Sequence, residues 1–333
     1  MSISFKALHV IQGEDKHFER HITTRTTDEL PAGELLVRVH YSSLNYKDAL
    51  SATGNPGVTR KFPHTPGIDA AGEVVECSSD AFKPGDKVIV TSHDLGMETD
   101  GGFGQMIRVP SAWALPLPEG LSLKESMIYG TAGLTAALSV REIIESSRIS
   151  GQEPVLVTGA TGGVGSIAVG LLARAGFQVV AATGKPNEAE YLKYLGAHEI
   201  IERAGVTQGN ERPMLKPRWA AVVDCVGGEM LAAAIKATHY DGIVTCCGLV
   251  GSPELNINVF PFILRGVRLV GIDSAECPMP RRRQAWQYLA GAGKLEQLTH
   301  MYEEVGLDEL DARITAMLKG QLKRRVLVNL QHS

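Results

Sequence analysis

Pro154-Val-Leu-Val-Thr-Gly-Ala-Thr-Gly-Gly-Val-Gly-Ser166 decides the fold. An apolar, β-branched run stops at Thr158-Gly159, a glycine-rich turn follows, and Ile167-Ala-Val-Gly-Leu-Leu-Ala-Arg174 resumes with apolar residues at helical spacing. The pattern is strand, turn, helix. Glycine suits the turn because phosphate oxygens reach backbone N–H groups and the positive helix end only where no Cβ intervenes. In the G-x-G-x-x-G pattern Ala160 holds the first glycine's place, and Gly162 and Gly165 hold the other two. A second short apolar strand, Phe177-Gln-Val-Val-Ala-Ala182, completes a βαβ unit of about the expected ~30 residues. A bound dinucleotide is the expectation.

Roughly 20 residues past the turn, an NAD-selective site carries an acidic residue for the ribose 2′-hydroxyl. Here the second strand ends in Thr183-Gly184-Lys185, with no acid. A hydroxyl donor and a cation suit a 2′-phosphate better than a bare hydroxyl. Arg203, just after the third expected strand Glu199-Ile-Ile-Glu202, offers a second cation. The cofactor expected is NADPH.

The chain totals fit a protein with one large or two medium cores: 333 residues, 44% hydrophobic and 21% charged. A net charge of −4 speaks against nucleic acid or an anionic membrane as partner. No signal-peptide pattern and no run near ~18 apolar residues is seen, so a cytoplasmic location is expected. The five cysteines form no C-x-x-C pair. Cys225, Cys246 and Cys247 lie in apolar, strand-like runs and read as reduced core residues.

The first ~120 residues hold short alternating runs, such as Glu34-Leu-Leu-Val-Arg-Val-His40 and Asp86-Lys-Val-Ile-Val90, separated by Gly/Pro turns. They predict a β-rich barrel or sandwich. From Leu121 to about Ile144 the spacing turns helical, with Ser122 as N-cap and Glu125 completing a capping box. From Pro154 to about Gly271 strands and helices alternate, which predicts a parallel sheet with later strands at Trp219–Asp224, Gly242–Cys247 and Val267–Gly271. A helix over Gln284–Ala292, helical spacing over Leu307–Met317 and a last strand at Arg325–Asn329 follow.

The ordered motifs Ser42-Ser-Leu-Asn-Tyr-Lys-Asp48, Pro66-Gly-Ile-Asp-Ala-Ala-Gly72, Gly101-Gly-Phe-Gly104, Gly130-Thr-Ala-Gly-Leu-Thr-Ala136, the turn at Gly159–Gly165, Asp224-Cys-Val-Gly-Gly228 and Gly271-Ile-Asp-Ser274 make the chain resemble the medium-chain dehydrogenase/reductase superfamily. Within it, the zinc-free quinone oxidoreductase and acrylyl-CoA reductase branch is the most similar. The resemblance implies an α/β fold: a Rossmann doubly wound parallel sheet over residues 123–274, and a chaperonin-10 (GroES)-like β-barrel domain from residues 1–122 and 275–333. It also implies a cleft where the two meet, and a homodimer.

Departures from the zinc alcohol dehydrogenases of that superfamily bear on the chemistry. Those enzymes carry Cys where Asn45 stands and Gly-His-Glu where Gly67-Ile68-Asp69 stands. An amide, an alkyl chain and one carboxylate offer no thiolate or imidazole set for Zn²⁺. Without a Lewis acid to hold an alkoxide, hydride delivery to an already activated acceptor is the expected reaction.

The acceptor expected is a short 2-enoyl thioester such as acrylyl-CoA. Hydride arriving at its β-carbon moves charge to the carbonyl oxygen, which needs donors placed in advance, and the α-carbon then needs a proton. Quinone reduction is the alternative, and a redox-silent NADPH- or RNA-binding protein is an alternative of another class. Asn45, Tyr46 and Asp69 are the catalytic candidates. Asn45 is read as a donor to the nicotinamide ribose or substrate carbonyl. Tyr46 is read as proton donor or oxyanion contact, or else as an aromatic wall. Asp69 also suits a turn-capping role. By resemblance, cofactor contacts fall at Tyr46, Thr131, Thr161, Gly162, Gly163, Val164, Thr183, Gly184, Lys185, Arg203, Leu249, Ser274 and Arg324. Arg281-Arg-Arg283 reads either as a solvated helix start or as a contact for coenzyme A phosphates.

Overall fold

A computed structural model describes residues 2–14, 17–146 and 153–331. Contacts divide the chain into two compact units, residues 1–131 with 298–333 and residues 132–297. The divisions fall at 131/132 and 297/298, where the sequence suggested 122/123 and 274/275. The helix Met279–Ala290 therefore belongs to the second unit.

In the second unit the strand Pro154–Val157 and the helix Gly163–Arg174 flank the glycine-rich turn, as their residue spacing predicts. Six strands lie in the spatial order Glu199–Glu202, Gln178–Thr183, Pro154–Val157, Trp219–Asp224, Thr238–Cys246 and Arg268–Gly271. Every neighbouring pair is parallel. Counted along the chain, the order is third, second, first, fourth, fifth, sixth, the doubly wound Rossmann arrangement. Continuous apolar strands make this possible: Leu156, Val180, Val222 and Val244 are buried and pack with Met230 and Ile235 of the helix Gly228–Lys236.

The first unit is β-rich, as the alternating runs predict. Its larger sheet runs Tyr302–Val305, Arg325–Asn329, Leu35–Leu44, Asp69–Cys77, Lys87–Thr91 and Ala114–Pro116, with Met106–Val109 also paired to Leu35–Leu44. The C-terminal strand Arg325–Asn329 thus lies antiparallel beside residues 41–44, with Val326 opposite Leu44. A separate hairpin pairs Ser4–Gln12 with Phe18–Thr26.

The helix Leu123–Glu145 starts as expected: the Ser122 hydroxyl accepts from the Glu125 N–H at 3.1 Å, and Glu125 Oε2 accepts from the Ser122 N–H at 2.8 Å. Unexpectedly, it breaks once. Gly130 sits at φ 52°, ψ −156°, so the regular ladder is interrupted and a fresh helical start is offered at Thr131.

Candidate active site

In the first unit, the side chains of the Ser42–Asp48 and Pro66–Gly72 motifs meet around one carboxylate. Asp69 begins the strand Asp69–Cys77 and is fully buried. Its Oδ2 accepts from Ser43 Oγ at 2.6 Å and from Asn45 Nδ2 at 2.7 Å. Its Oδ1 accepts from Thr131 Oγ1 at 2.6 Å, and both oxygens lie within reach of the Thr131 backbone N–H, at 3.0 and 2.9 Å. The carboxylate therefore caps the renewed helix and faces its positive end. The sequence reading has Asp69 capping a turn; what its carboxylate caps is the renewed helix start at Thr131. Gly130 is required there, because a Cβ would stand 2.4 Å from both Asp69 Oδ2 and Ser43 Oγ.

Asn45 is buried, and its amide is engaged within the protein. Nδ2 donates to Asp69 and to Ser43 O at 3.2 Å, and Oδ1 accepts from Arg325 Nη1 at 3.2 Å. Both amide hydrogens are thus taken, and the donor to ribose or carbonyl expected of Asn45 is turned inward. Tyr46 follows at the start of the helix Tyr46–Ser51 and is 43% exposed. Asp48 lies beneath them, fully buried, accepting the Asn45 N–H at 2.7 Å and the Ile68 N–H at 2.8 Å. Burial, and then the charge of Asp69, push its carboxyl up to about 7.

Sequence reasoning selected Arg324 and passed over Arg325. Arg324 is half-exposed and donates to Lys323 O at 2.8 Å. Arg325 is buried; its Nε donates to Ile128 O at 3.1 Å and its Nη1 to Leu44 O at 3.2 Å as well as to Asn45. Burial draws its basicity down, against the charges of Asp69 and Asp48, which raise it. Arg324 precedes the strand Arg325–Asn329, whose residues 325–328 are all buried, so Arg325 is carried into the interior with the strand.

A zinc ion does not fit this donor set. Asn45 offers an amide already bonded, Ile68 an alkyl chain, and Asp69 a carboxylate with its lone pairs occupied by Ser43, Asn45 and Thr131. Among the described residues no three His, Cys, Asp or Glu side chains converge in a metal-holding group.

In the second unit, Gly162 is the N-cap of the helix Gly163–Arg174, with Gly163 and Val164 in its first turn. Gly165 closes the turn tightly, since a Cβ there would lie 2.3 Å from Gly159 O. A phosphate can therefore approach bare N–H groups at a helix start, and these residues fit a dinucleotide. Thr161 Oγ1 and Thr183 Oγ1 are 3.2 Å apart, and Thr183 Oγ1 accepts the Lys185 N–H at 3.0 Å. The Arg203 guanidinium crosses Gly184 so closely that a Cβ on Gly184 would lie 2.7 Å from its Nε. Thr161, Thr183, Gly184, Lys185 and Arg203 are thus brought together.

Two further expected contacts lie near the ends of later strands. Leu249 is exposed after the strand Thr238–Cys246. Ser274 Oγ accepts from Thr135 Oγ1 at 2.8 Å, and its carbonyl accepts from Arg282 Nη2 at 3.0 Å. Arg281 pairs with Glu142, while Arg282 is buried, so the basic run is no continuous phosphate site. Cys225, Cys246 and Cys247 are free, as expected, but half-buried at strand ends rather than within the core.

Known proteins share this architecture along the whole chain. Residues 31–119 match the alcohol dehydrogenase GroES-like domain, and residues 163–290 match the zinc-binding dehydrogenase family. The putative quinone oxidoreductase YhfP of Bacillus subtilis is 44% identical, covering 99% of this chain and 100% of its own. Its crystal structure with NAD bound superposes with a TM-score of 0.95 over 98% of this chain and 100% of that one. Acrylyl-CoA reductase AcuI of Ruegeria pomeroyi is 41% identical over 98% of this chain and 99% of its own. The YhdH oxidoreductase of Salmonella enterica, crystallised with NADP, is 39% identical with a TM-score of 0.94, covering 98% and 100%. On this fold, this glycine-rich turn and these relatives, the chain belongs to the medium-chain dehydrogenase/reductase superfamily and is a nicotinamide-dependent oxidoreductase.

Proposed function

We propose that the protein reduces the activated carbon–carbon double bond of a short enoyl thioester, acrylyl-CoA to propanoyl-CoA, with NADPH and without zinc. The observation that carries this reading is the engagement of Asn45 and Asp69 with Ser43, Thr131 and Arg325, which leaves no ligand set for a Lewis acid. An alcohol would need one to form its alkoxide, whereas an enoyl thioester is already polarised for hydride addition. The 41% identity to an acrylyl-CoA reductase supports the same acceptor.

NADPH supplies the hydride. Gly162, Gly163 and Val164 hold the pyrophosphate at the helix start, and Thr161, Thr183, Gly184, Lys185 and Arg203 take the 2′-phosphate. Leu249 passes near the nicotinamide, Ser274 meets its carboxamide, and Thr131 and Arg324 add polar contacts to the cofactor. Tyr46, exposed at the start of its helix, donates through its hydroxyl to the carbonyl oxygen as it gains charge or protonates the α-carbon. Asp69 holds the surrounding loops in place.

A quinone as acceptor is the second reading, favoured by the 44% identity to a putative quinone oxidoreductase. A redox-silent role gives way to the oxidoreductase family. The active form is a homodimer in the cytoplasm. Its interface is the edge strand Arg268–Gly271, which can pair antiparallel with a second copy beside the exposed Val259, Phe260, Ile263 and Leu264. Following NADPH absorbance with acrylyl-CoA and a small quinone side by side, with and without a chelator, tests the reading. Faster thioester turnover that chelation leaves unchanged supports it; quinone turnover without thioester turnover replaces it with the second reading.

A further inference from the structure

We infer that Arg325 is a positioning residue for the reaction, acting through Asn45 to fix Tyr46. The inference rests on Tyr46 being the donor in the proposed reaction and goes beyond it by naming what aims that donor.

Arg325 opens the C-terminal strand, 280 positions beyond Asn45 and 197 beyond Ile128, and it is 5% exposed. Its contacts fall on both sides of the Asp69 carboxylate. Nε donates to Ile128 O, two residues before the Gly130 break, and Nη1 donates to Leu44 O and Asn45 Oδ1, directly before Tyr46. The second nitrogen of the fork, Nη2, has no hydrogen-bond partner among the described residues and lies 3.0 Å from where a Gly130 Cβ would be. A buried cation is costly to hold, and a hydrophobic replacement of a buried ionic group is often neutral or stabilising. Geometry is what this guanidinium supplies here.

The amide of Asn45 makes that geometry directional. Nδ2 faces a carboxylate and a carbonyl, both acceptors, while Oδ1 faces donors, the Arg325 guanidinium and the Asp48 N–H of the capping box. Rotating the amide by half a turn would set its NH₂ against the guanidinium and its oxygen against Asp69, so one orientation is enforced. Backbone bonds complete the clamp: Leu44 O is held by Arg325, and the Asn45 N–H is held by Asp48. With residues 44 and 45 held at side chain and main chain, the Cα–Cβ bond from which the Tyr46 ring extends is aimed in one direction.

The test is a double-mutant cycle between Arg325→Lys and Tyr46→Phe. A lysine keeps the charge but cannot bridge Ile128, Leu44 and Asn45 together. Arg325→Lys is expected to lower kcat by about tenfold or more with the KM for NADPH within about twofold of the parent, and the double variant to be no slower than Tyr46→Phe alone. Losses that multiply in the double variant overturn the inference and leave the proposed reaction standing, as does an Arg325→Lys variant as fast as the parent. A Tyr46→Phe variant with full thioester turnover overturns the donor role and the inference together. Should Arg325→Lys fail to fold by circular dichroism, Asn45→Ser takes its place in the same cycle with the same outcomes.

Discussion

Asn45 donates to Asp69 at 2.7 Å while its own oxygen takes the Arg325 guanidinium at 3.2 Å, so an amide stands between a buried carboxylate and a buried cation. Asn45→Asp removes the donor and sets a further carboxyl beside Asp69 and Asp48. Loss of a charge-assisted hydrogen bond with added like-charge repulsion is expected to lower the unfolding free energy by about 2–3 kcal/mol. Urea denaturation at pH 7.5 checks this, and an unchanged midpoint would contradict it.

Gly130→Ala should be costly for two reasons that act together. Its φ of 52° disfavours an L side chain, and the new Cβ would meet Asp69 Oδ2 and Ser43 Oγ at 2.4 Å. A loss of roughly 1–3 kcal/mol is expected, with a thermal midpoint several degrees lower. By contrast Gly85→Ala and Gly320→Ala, where a Cβ meets nothing within 4 Å, should show only the backbone penalty of their positive φ.

Asp48 predicts a pH dependence. Its carboxyl titrates at about 7 in the folded chain, above its ordinary value of 3.8. Between about pH 4 and pH 7 the folded state therefore holds the extra proton, and stability falls as pH rises through that window. Below it both states are protonated, and above it both are ionised, so the contribution is flat. Asp48→Asn should flatten the slope between pH 5 and pH 7.5 relative to the parent in chemical denaturation; equal slopes in the two proteins would remove Asp48 as its source.

For cofactor choice, Arg203→Ala is expected to raise the KM for NADPH by about 10- to 100-fold, the loss of one charge-assisted phosphate contact, and to leave NADH kinetics within about twofold. Lys185→Ala should act in the same direction. Equal losses with NADPH and NADH would show that these cations serve something other than the 2′-phosphate.

Much of the second unit was legible in the sequence because its strands are apolar runs between turn residues. Trp219–Asp224 and Arg325–Asn329 fall where the residues predict, and the Ser122–Glu125 capping box forms. The arrangement around Asp69 was harder to read. Its partners come from positions 43, 45 and 131, and no local pattern reports a side chain 62 positions away. Gly130 did carry a signal, a glycine inside a helical pattern, but its reason is a carboxylate supplied by a distant strand. The choice between Arg324 and Arg325 turned on where the last strand begins, since the strand starts at Arg325 and buries residues 325–328 in succession.

The most direct measurement is deuterium transfer. NADPH labelled with deuterium at the transferring C4 position, incubated with acrylyl-CoA and the enzyme in ordinary water, should yield propanoyl-CoA with one deuterium at C3 and none at C2 by NMR and mass spectrometry. Deuterium at C2, or an unlabelled product, would contradict hydride delivery to the β-carbon of an enoyl thioester.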